Sequence, residues 1–392
     1  MAATPATLAV AGVASLFMAW TIGAGSSGST PFAPAVGANA ISIMRAGFFV
    51  GLLGFAGAVL QGANVSEAVG RELIRGVALS PLAATAGLLV AAALVAVGVF
   101  TGYPIATAFT VTGAVVGTGL AMGGAPAWAK YREIAALWAL VPVLGGSAAY
   151  ATARLLRHPG TSERRAIPLL GGVVGLILAN VEFSLLGEGG RSVAVAVTGA
   201  LSLPALAGRV AVSLAAAAAV GGVLAWELRG HPERGQRRFL LALGGLVAFS
   251  AGGSQVGLAI GPLLPLLGPA SLPVAVPLVA VLVFGGVGLL IGSWTGAPRM
   301  IKALSQDYSS LGPRRSIAAL IPSFVIAQTA VFLGVPVSFN EIIVSAIVGS
   351  GYAAGQSDVS RGKMLYTVAA WIGSLVLAGV LGYAAYTAVA AL

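Results

Sequence analysis

Ser26, Ser27, Ser29 and Thr30 place four hydroxyl groups within five residues. Each hydroxyl offers one donor and two acceptor lone pairs. Gly23, Gly25 and Gly28 lie among them, and glycine lets backbone N–H groups approach a ligand closely. This combination suits a tetrahedral oxyanion, which needs no Arg or Lys if enough donors converge. Helix N-termini would add partial positive charge worth on the order of 1–2 kcal/mol in a partly buried site. The stretch 250–262 has the same character, with Ser250, Gly252, Gly253, Ser254, Gln255, Gly257, Gly261 and Pro262. Two Pro-led segments, 104–109 and 336–341, contribute Thr107, Ser338, Asn340 and Glu341. Ser254, Gln255, Thr107, Ser338 and Asn340 would complete a shell around the 26–30 cluster. Small hydroxyl residues also serve simply to pack membrane helices closely. At 26–30 the binding role is favoured, because Pro31 and Pro34 break the helix there; for Thr107 both roles stay open.

The elements that would carry these residues are set by composition. Hydrophobic residues make up 58% of the 392-residue chain and charged residues 8%, against about 25% charged in a soluble domain. The chain therefore reads as an all-α polytopic membrane protein. Apolar runs of spanning length, about 20 residues, fall near 6–22, 46–62, 77–99, 134–155, 167–186, 205–226, 239–251, 274–294, 316–334 and 364–390. Shorter or interrupted pieces lie at 104–123, 192–203 and 336–355, giving ten to twelve passes. The stretches 23–37 and 252–262 read as helix breaks. Non-helical backbone at membrane depth survives only where protein or a cavity satisfies it, and paired breaks in two halves point to a transport site.

The net charge of +10 is distributed over loops rather than along one face. This is the positive-inside pattern, so the bilayer with its anionic headgroups is the partner, not nucleic acid. No Lys or Arg precedes the first apolar run, which therefore reads as a mature helix rather than a cleaved signal. A multi-pass protein of a prokaryotic plasma membrane is the expected setting, and a homo-oligomer is compatible with it. Residues 1–155 form a first repeat, 156–238 connecting helices and basic loops, and 239–392 a second repeat. Loop 298–315 is more basic than its counterpart 63–76, which favours an inverted repeat.

Three ionisable residues, Glu182, Arg209 and Glu341, could lie at membrane depth, where such groups are costly and default to function. Glu182 and Arg209 lie near helix ends, where snorkelling explains them. Glu341 sits inside the second Pro-led motif. Burial penalises the charged form of a carboxyl, which suits a proton carrier; a structural carboxylate at a helix start is the alternative. The two histidines, His158 and His231, lie in basic loops and read as solvated. The absence of cysteine excludes disulfides and thiolate metal sites; no metal site or cofactor is expected. No Walker motif appears, which argues against ATP coupling. No charge ring or filter loop marks a channel, and no nucleophile–base constellation marks an enzyme.

In the order and spacing of these elements the chain resembles the inorganic phosphate transporter (PiT) family over nearly its full length. That family carries Asn-Asp signatures in each half and Pro-Val-Ser-Thr-Thr-His motifs later in each half. The resemblance places Ser26 and Ser27 at the first Asn-Asp, Thr30 at the following Asn, and Ser254 and Gln255 at the second Asn-Asp. Pro104–Phe109 and Pro336–Glu341 match the later motifs, with Glu341 at the His position. Both signature aspartates are thus absent, as in the sulfate-permease branch that this chain resembles. The resemblance implies a secondary active transporter of phosphate or sulfate working by alternating access. Loss of both aspartates puts Na⁺ coupling in doubt and leaves Glu341 to carry a proton in symport. An anion channel or an uncoupled anion permease is the alternative.

Overall fold

The computed structural model describes residues 4–183, 186, 190–268, 276–355 and 359–391. The chain begins α1 (Pro5–Gly25), α2 (Ala33–Gly37), α3 (Ile43–Gln61), α4 (Ala63–Arg71), α5 (Pro81–Thr101), α6 (Thr107–Ala121) and α7 (Trp128–Arg157). Then come α8 (Glu163–Asn180), α9 (Val193–Ala200) and α10 (Ala205–Gly230). The remainder is α11 (Pro232–Ile260), α12 (Leu278–Thr295), α13 (Ala297–Gln306), α14 (Pro313–Phe332), α15 (Phe339–Tyr352) and α16 (Arg361–Ala390). Every expected apolar run falls on a helix; the ends of two runs, at 184–186 and 274–275, reach into positions of which only 186 is described.

The protein is an all-α, multi-pass membrane protein. Among the described residues, nine helices are long and apolar enough to cross a membrane. The tenth expected run is α8, which is more polar because Glu163, Arg164 and Arg165 open it. Helices α6 and α15 have 15 and 14 residues, so each reaches only about 21–22 Å. That is short of the ~30 Å hydrocarbon core.

From α3 to α7 and from α12 to α16 the order of elements repeats, and the packing between the two series is reciprocal. Helix α1 packs on α12 and α5, as α11 packs on α3 and α14; α6 packs on α16, as α15 packs on α7. Such an exchange is what a pseudo-two-fold relation produces. Before each Pro-led segment the preceding helix stops at a glycine with positive φ, Gly102 (φ 77) and Gly334 (φ 62), a conformation costly for other residues.

The second expected break is different from the first. Helix α1 ends at Gly25, and residues 26–32 turn before α2. Helix α11, by contrast, runs unbroken through Ser250, Ser254 and Gln255 to Ile260, and only Gly261–Leu266 forms a 3₁₀ turn. The glycines there serve packing. A Cβ on Gly252 would lie 1.8 Å from the Gly54 carbonyl oxygen on α3, and one on Gly57 would lie 1.8 Å from the Phe249 carbonyl oxygen. Small residues allow this close backbone approach between membrane helices.

Candidate anion-binding site

The C-terminal end of α1 meets the N-terminal ends of α6 and α15, with α11 alongside. At this meeting point Gln255 is the central side chain. Its Oε1 accepts from the Thr107 hydroxyl at 2.7 Å and the Ser26 hydroxyl at 3.1 Å, while its Nε2 donates to the Val337 carbonyl at 2.6 Å. A carbonyl can only accept, so this last bond fixes which way the amide points. Asn340 is fixed in the same manner: its Nδ2 donates to the carbonyls of Gly25 (2.9 Å) and Ile105 (2.6 Å). These bonds join both signature stretches to both Pro-led segments.

The hydroxyls of the first cluster divide their work. Those of Ser29 and Thr30 donate back to the Ser26 carbonyl at 3.1 and 3.0 Å. They therefore satisfy backbone freed by the end of α1, and their donors are spent on the turn. Ser27 has no hydrogen-bond partner among the described residues. Elsewhere in the site, four buried polar atoms are without a partner among the described residues: Ser254 Oγ, Ser338 Oγ, Asn340 Oδ1 and Glu341 Oε2. Ser338 stands at the N-cap of α15 yet makes no capping bond. The opening N–H groups of a helix have no acceptor within it, so the starts of α6 and α15 carry donors and the positive end of the helix dipole.

All ten residues expected at the site are buried, none more than 2% exposed. The structure brings Ser26, Thr107, Gln255 and Asn340 into one hydrogen-bonded cluster through Gly25, Ile105 and Val337. Ser254, Ser338 and Glu341 adjoin these residues in sequence. The chemistry of the orphaned atoms differs. A serine hydroxyl can donate to an oxyanion; an amide oxygen or an ionised carboxylate only accepts and so suits a cation or a proton. Asn340, expected among the anion ligands, has both amide hydrogens committed and offers only its oxygen.

Two tryptophans were not legible as site residues. Trp138 of α7 donates to the Pro336 carbonyl at 3.0 Å, and Trp371 of α16 donates to the Pro104 carbonyl at 2.7 Å. Each Pro-led segment is thus held by an indole from the other half, and Trp138 also stacks on Phe109 at 3.8 Å. Gln61 and Gln328 were also missed. Gln328 Nε2 donates to Ser250 Oγ at 2.6 Å and to Gln61 Oε1 at 3.2 Å. Both line a cavity of about 700 Å³ together with Asn64, Asn180 and Glu182. The single amide in each of α3 and α14, set in an apolar stretch, was the available signal. Glu182 is half-buried beside this cavity and Arg209 is exposed; neither reaches the cluster.

The family model for the phosphate transporter family matches residues 22–382. The chain belongs to this family. Among relatives of this phosphate transporter family member is the inorganic phosphate transporter 2-1, chloroplastic, of Arabidopsis thaliana, 25% identical, covering 91% of this chain and 68% of that one. A candidate phosphate permease of Pyrococcus abyssi is 25% identical over 93% of this chain and 94% of its own. A solved structure described as the sodium-dependent phosphate transporter superposes with a TM-score of 0.83 at 23% identity, covering 99% of this chain and 100% of that one. These findings carry the phosphate transporter family and the fold; they do not support the sulfate-permease branch expected from the missing aspartates. Family membership is that of a transporter rather than an enzyme.

Proposed function

We propose that this protein is a secondary transporter that moves inorganic phosphate across the membrane by alternating access at the Ser26–Gln255 cluster. The observation that carries this reading is the set of orphaned buried oxygens of Ser254, Ser338, Asn340 and Glu341, lying where two helix N-termini meet. Hydroxyls of Ser27, Ser254 and Ser338, with N–H groups opening α6 and α15, donate to the anion. Ser26, Thr107 and Gln255 hold these donors in register, and Ser29 and Thr30 hold the turn that presents Ser26 and Ser27. Because the site is buried, the anion reaches it only when the packing between the halves opens to one side. Phosphate is the substrate named for the relatives; sulfate has the same tetrahedral shape and is the competitor to test.

The coupling cation engages the Glu341 carboxylate and the Asn340 oxygen, which in the ion-free state only accept. A proton neutralises the carboxyl as the anion arrives and leaves with it. Na⁺ is the second reading, favoured by the described sodium dependence of the structural neighbour and by the free Asn340 oxygen, since Na⁺ takes oxygen ligands. Uptake of labelled phosphate into proteoliposomes, with imposed pH or Na⁺ gradients and excess sulfate, tests all of this. Saturable phosphate uptake, poorly inhibited by sulfate, is expected. Under proton coupling it rises as external pH falls, and Glu341→Gln abolishes accumulation while phosphate exchange continues. Strict Na⁺ dependence with normal accumulation by Glu341→Gln would overturn the proton role. Sulfate uptake without phosphate uptake would overturn the substrate.

A further inference from the structure

Away from the transport site, α8, α10, α11 and α14 enclose an apolar groove of about 840 Å³. Leu178, Val220, Val223, Leu241, Leu246 and Phe324 line it. One end is closed by Glu227 and Arg238, which also line an adjoining cleft of about 430 Å³ with Arg229, His231 and Arg234. Along α11 the lining residues Arg238, Leu241, Gly245 and Phe249 fall on one helical face. Eleven residues separate the first from the last, or about 16 Å. Half of a hydrocarbon core is about 15 Å, so the apolar stripe from Leu241 to Phe249, about 12 Å long, fits within one leaflet with Arg238 at its headgroup end.

The charge at the mouth is positive. Segment 227–238 carries Arg229, Arg234, Arg237 and Arg238 against Glu227 and Glu233. Glu227 pairs with Arg238 at 2.5 Å, and Arg237 Nε donates to the Ala40 carbonyl at 2.8 Å. Arg229 and Arg234 are exposed and have no ion-pair partner among the described residues. Beside them Trp226, 74% exposed, is the amphipathic type found at headgroup level.

We propose that this groove is a binding site for one anionic phospholipid, with an acyl chain along α10 and α11 and the headgroup phosphate against Arg229 and Arg234. An acyl chain matches an apolar stripe that stops at mid-membrane, which a spanning helix of a second copy would overrun. The two unpaired arginines select an anionic over a zwitterionic headgroup, because each cation near an anionic lipid surface adds attraction.

The full chain, purified in detergent, can be examined by native mass spectrometry with phosphatidylglycerol or phosphatidylcholine added. Retention of phosphatidylglycerol should exceed that of phosphatidylcholine roughly thirtyfold. An Arg229→Gln, Arg234→Gln double variant should bring the two lipids level. Ala219→Trp, at an exposed groove position, should remove both while leaving the melting temperature of lipid-free protein unchanged. Equal retention of both lipids by the native chain would overturn the proposal. So would lipid retention unaffected by Ala219→Trp, or conversion of a dimer to a monomer by that variant. Competition by soluble glycerol phosphate as strong as by the lipid would likewise overturn it.

Discussion

The two signature stretches share glycine, serine and proline, yet one ends a helix and the other continues it. In the first, Ser26, Ser27, Ser29 and Thr30 compete for the backbone, and short hydroxyl side chains favour turns over helix interiors. Pro31 and Pro34 then forbid an unbroken helix. The backbone freed at Ser26 is taken up by Ser29 and Thr30. In the second, Ser254 is followed by Gln255, a good helix former, and no proline occurs before Pro262. Its glycines lie against backbone and side chains of α3 (Gly252, Gly253) and α4 (Gly257, Gly261) and keep these helices close. One half thus presents backbone and hydroxyls at a helix end, while the other presents a long amide from a rigid helix. Gln255 reaches across to Ser26 and Thr107 and makes the unlike halves one site.

The comparison predicts its largest effect at the close helix contact. Gly252→Val should cost about 3 kcal/mol or more by overpacking, because its Cβ would lie 1.8 Å from the Gly54 backbone oxygen. Gly245→Ala, whose Cβ would meet only the Leu53 side chain at 3.2 Å, should be nearly neutral. Thermal melting and size-exclusion profiles of the two variants check this, and equal behaviour would mean that the second stretch is not held by packing.

Next in size is the link between the halves. Gln255→Leu removes the acceptor for Ser26 and Thr107 and the donor to Val337, at a cost of about 1–3 kcal/mol in all because the Thr107 and Ser26 hydroxyls, 3.4 Å apart, still partner each other. Phosphate uptake should fall on the order of 100-fold in kcat/KM while the protein stays folded. Ser26→Ala should cost less, because Thr107 still donates to Gln255. The double variant should be less than additive, as expected for partners in one network. Ser27→Asp should raise KM by setting a carboxylate beside the anion. Unchanged kinetics in all of these would reduce the cluster to packing.

The smallest effect tests the symmetry. Trp138→Phe and Trp371→Phe each delete one hydrogen bond to a proline carbonyl, worth about 1 kcal/mol, or roughly fivefold in KM. If the two Pro-led segments are equivalent supports, the two variants should match. A clear loss from one alone would show that a single half sets the geometry of the site.

By itself the sequence determined the membrane setting and the placement of the apolar helices, and it singled out hydroxyl residues whose chemistry suits an oxyanion. Those properties follow from local quantities: apolar runs of spanning length, hydroxyls at short spacing, prolines that end helices. It also carried the repeated order of elements, because corresponding segments keep recognisable types, such as Gly102 with Pro104 and Gly334 with Pro336. What it left open depends on contacts between distant segments. Gly252 and Gly253 read as part of a helix break, and only the approach of α3 shows that they serve packing in an unbroken helix. Asn340 read as an anion ligand until Gly25 and Ile105, 315 and 235 residues away, took its donors and left its oxygen free. Trp138 and Trp371 looked like ordinary apolar residues, because their partners are carbonyls in the other half. Hydrogen bonds between halves have no signature in local spacing, so only the tertiary structure shows which polar atoms are already paired and which are left without a partner.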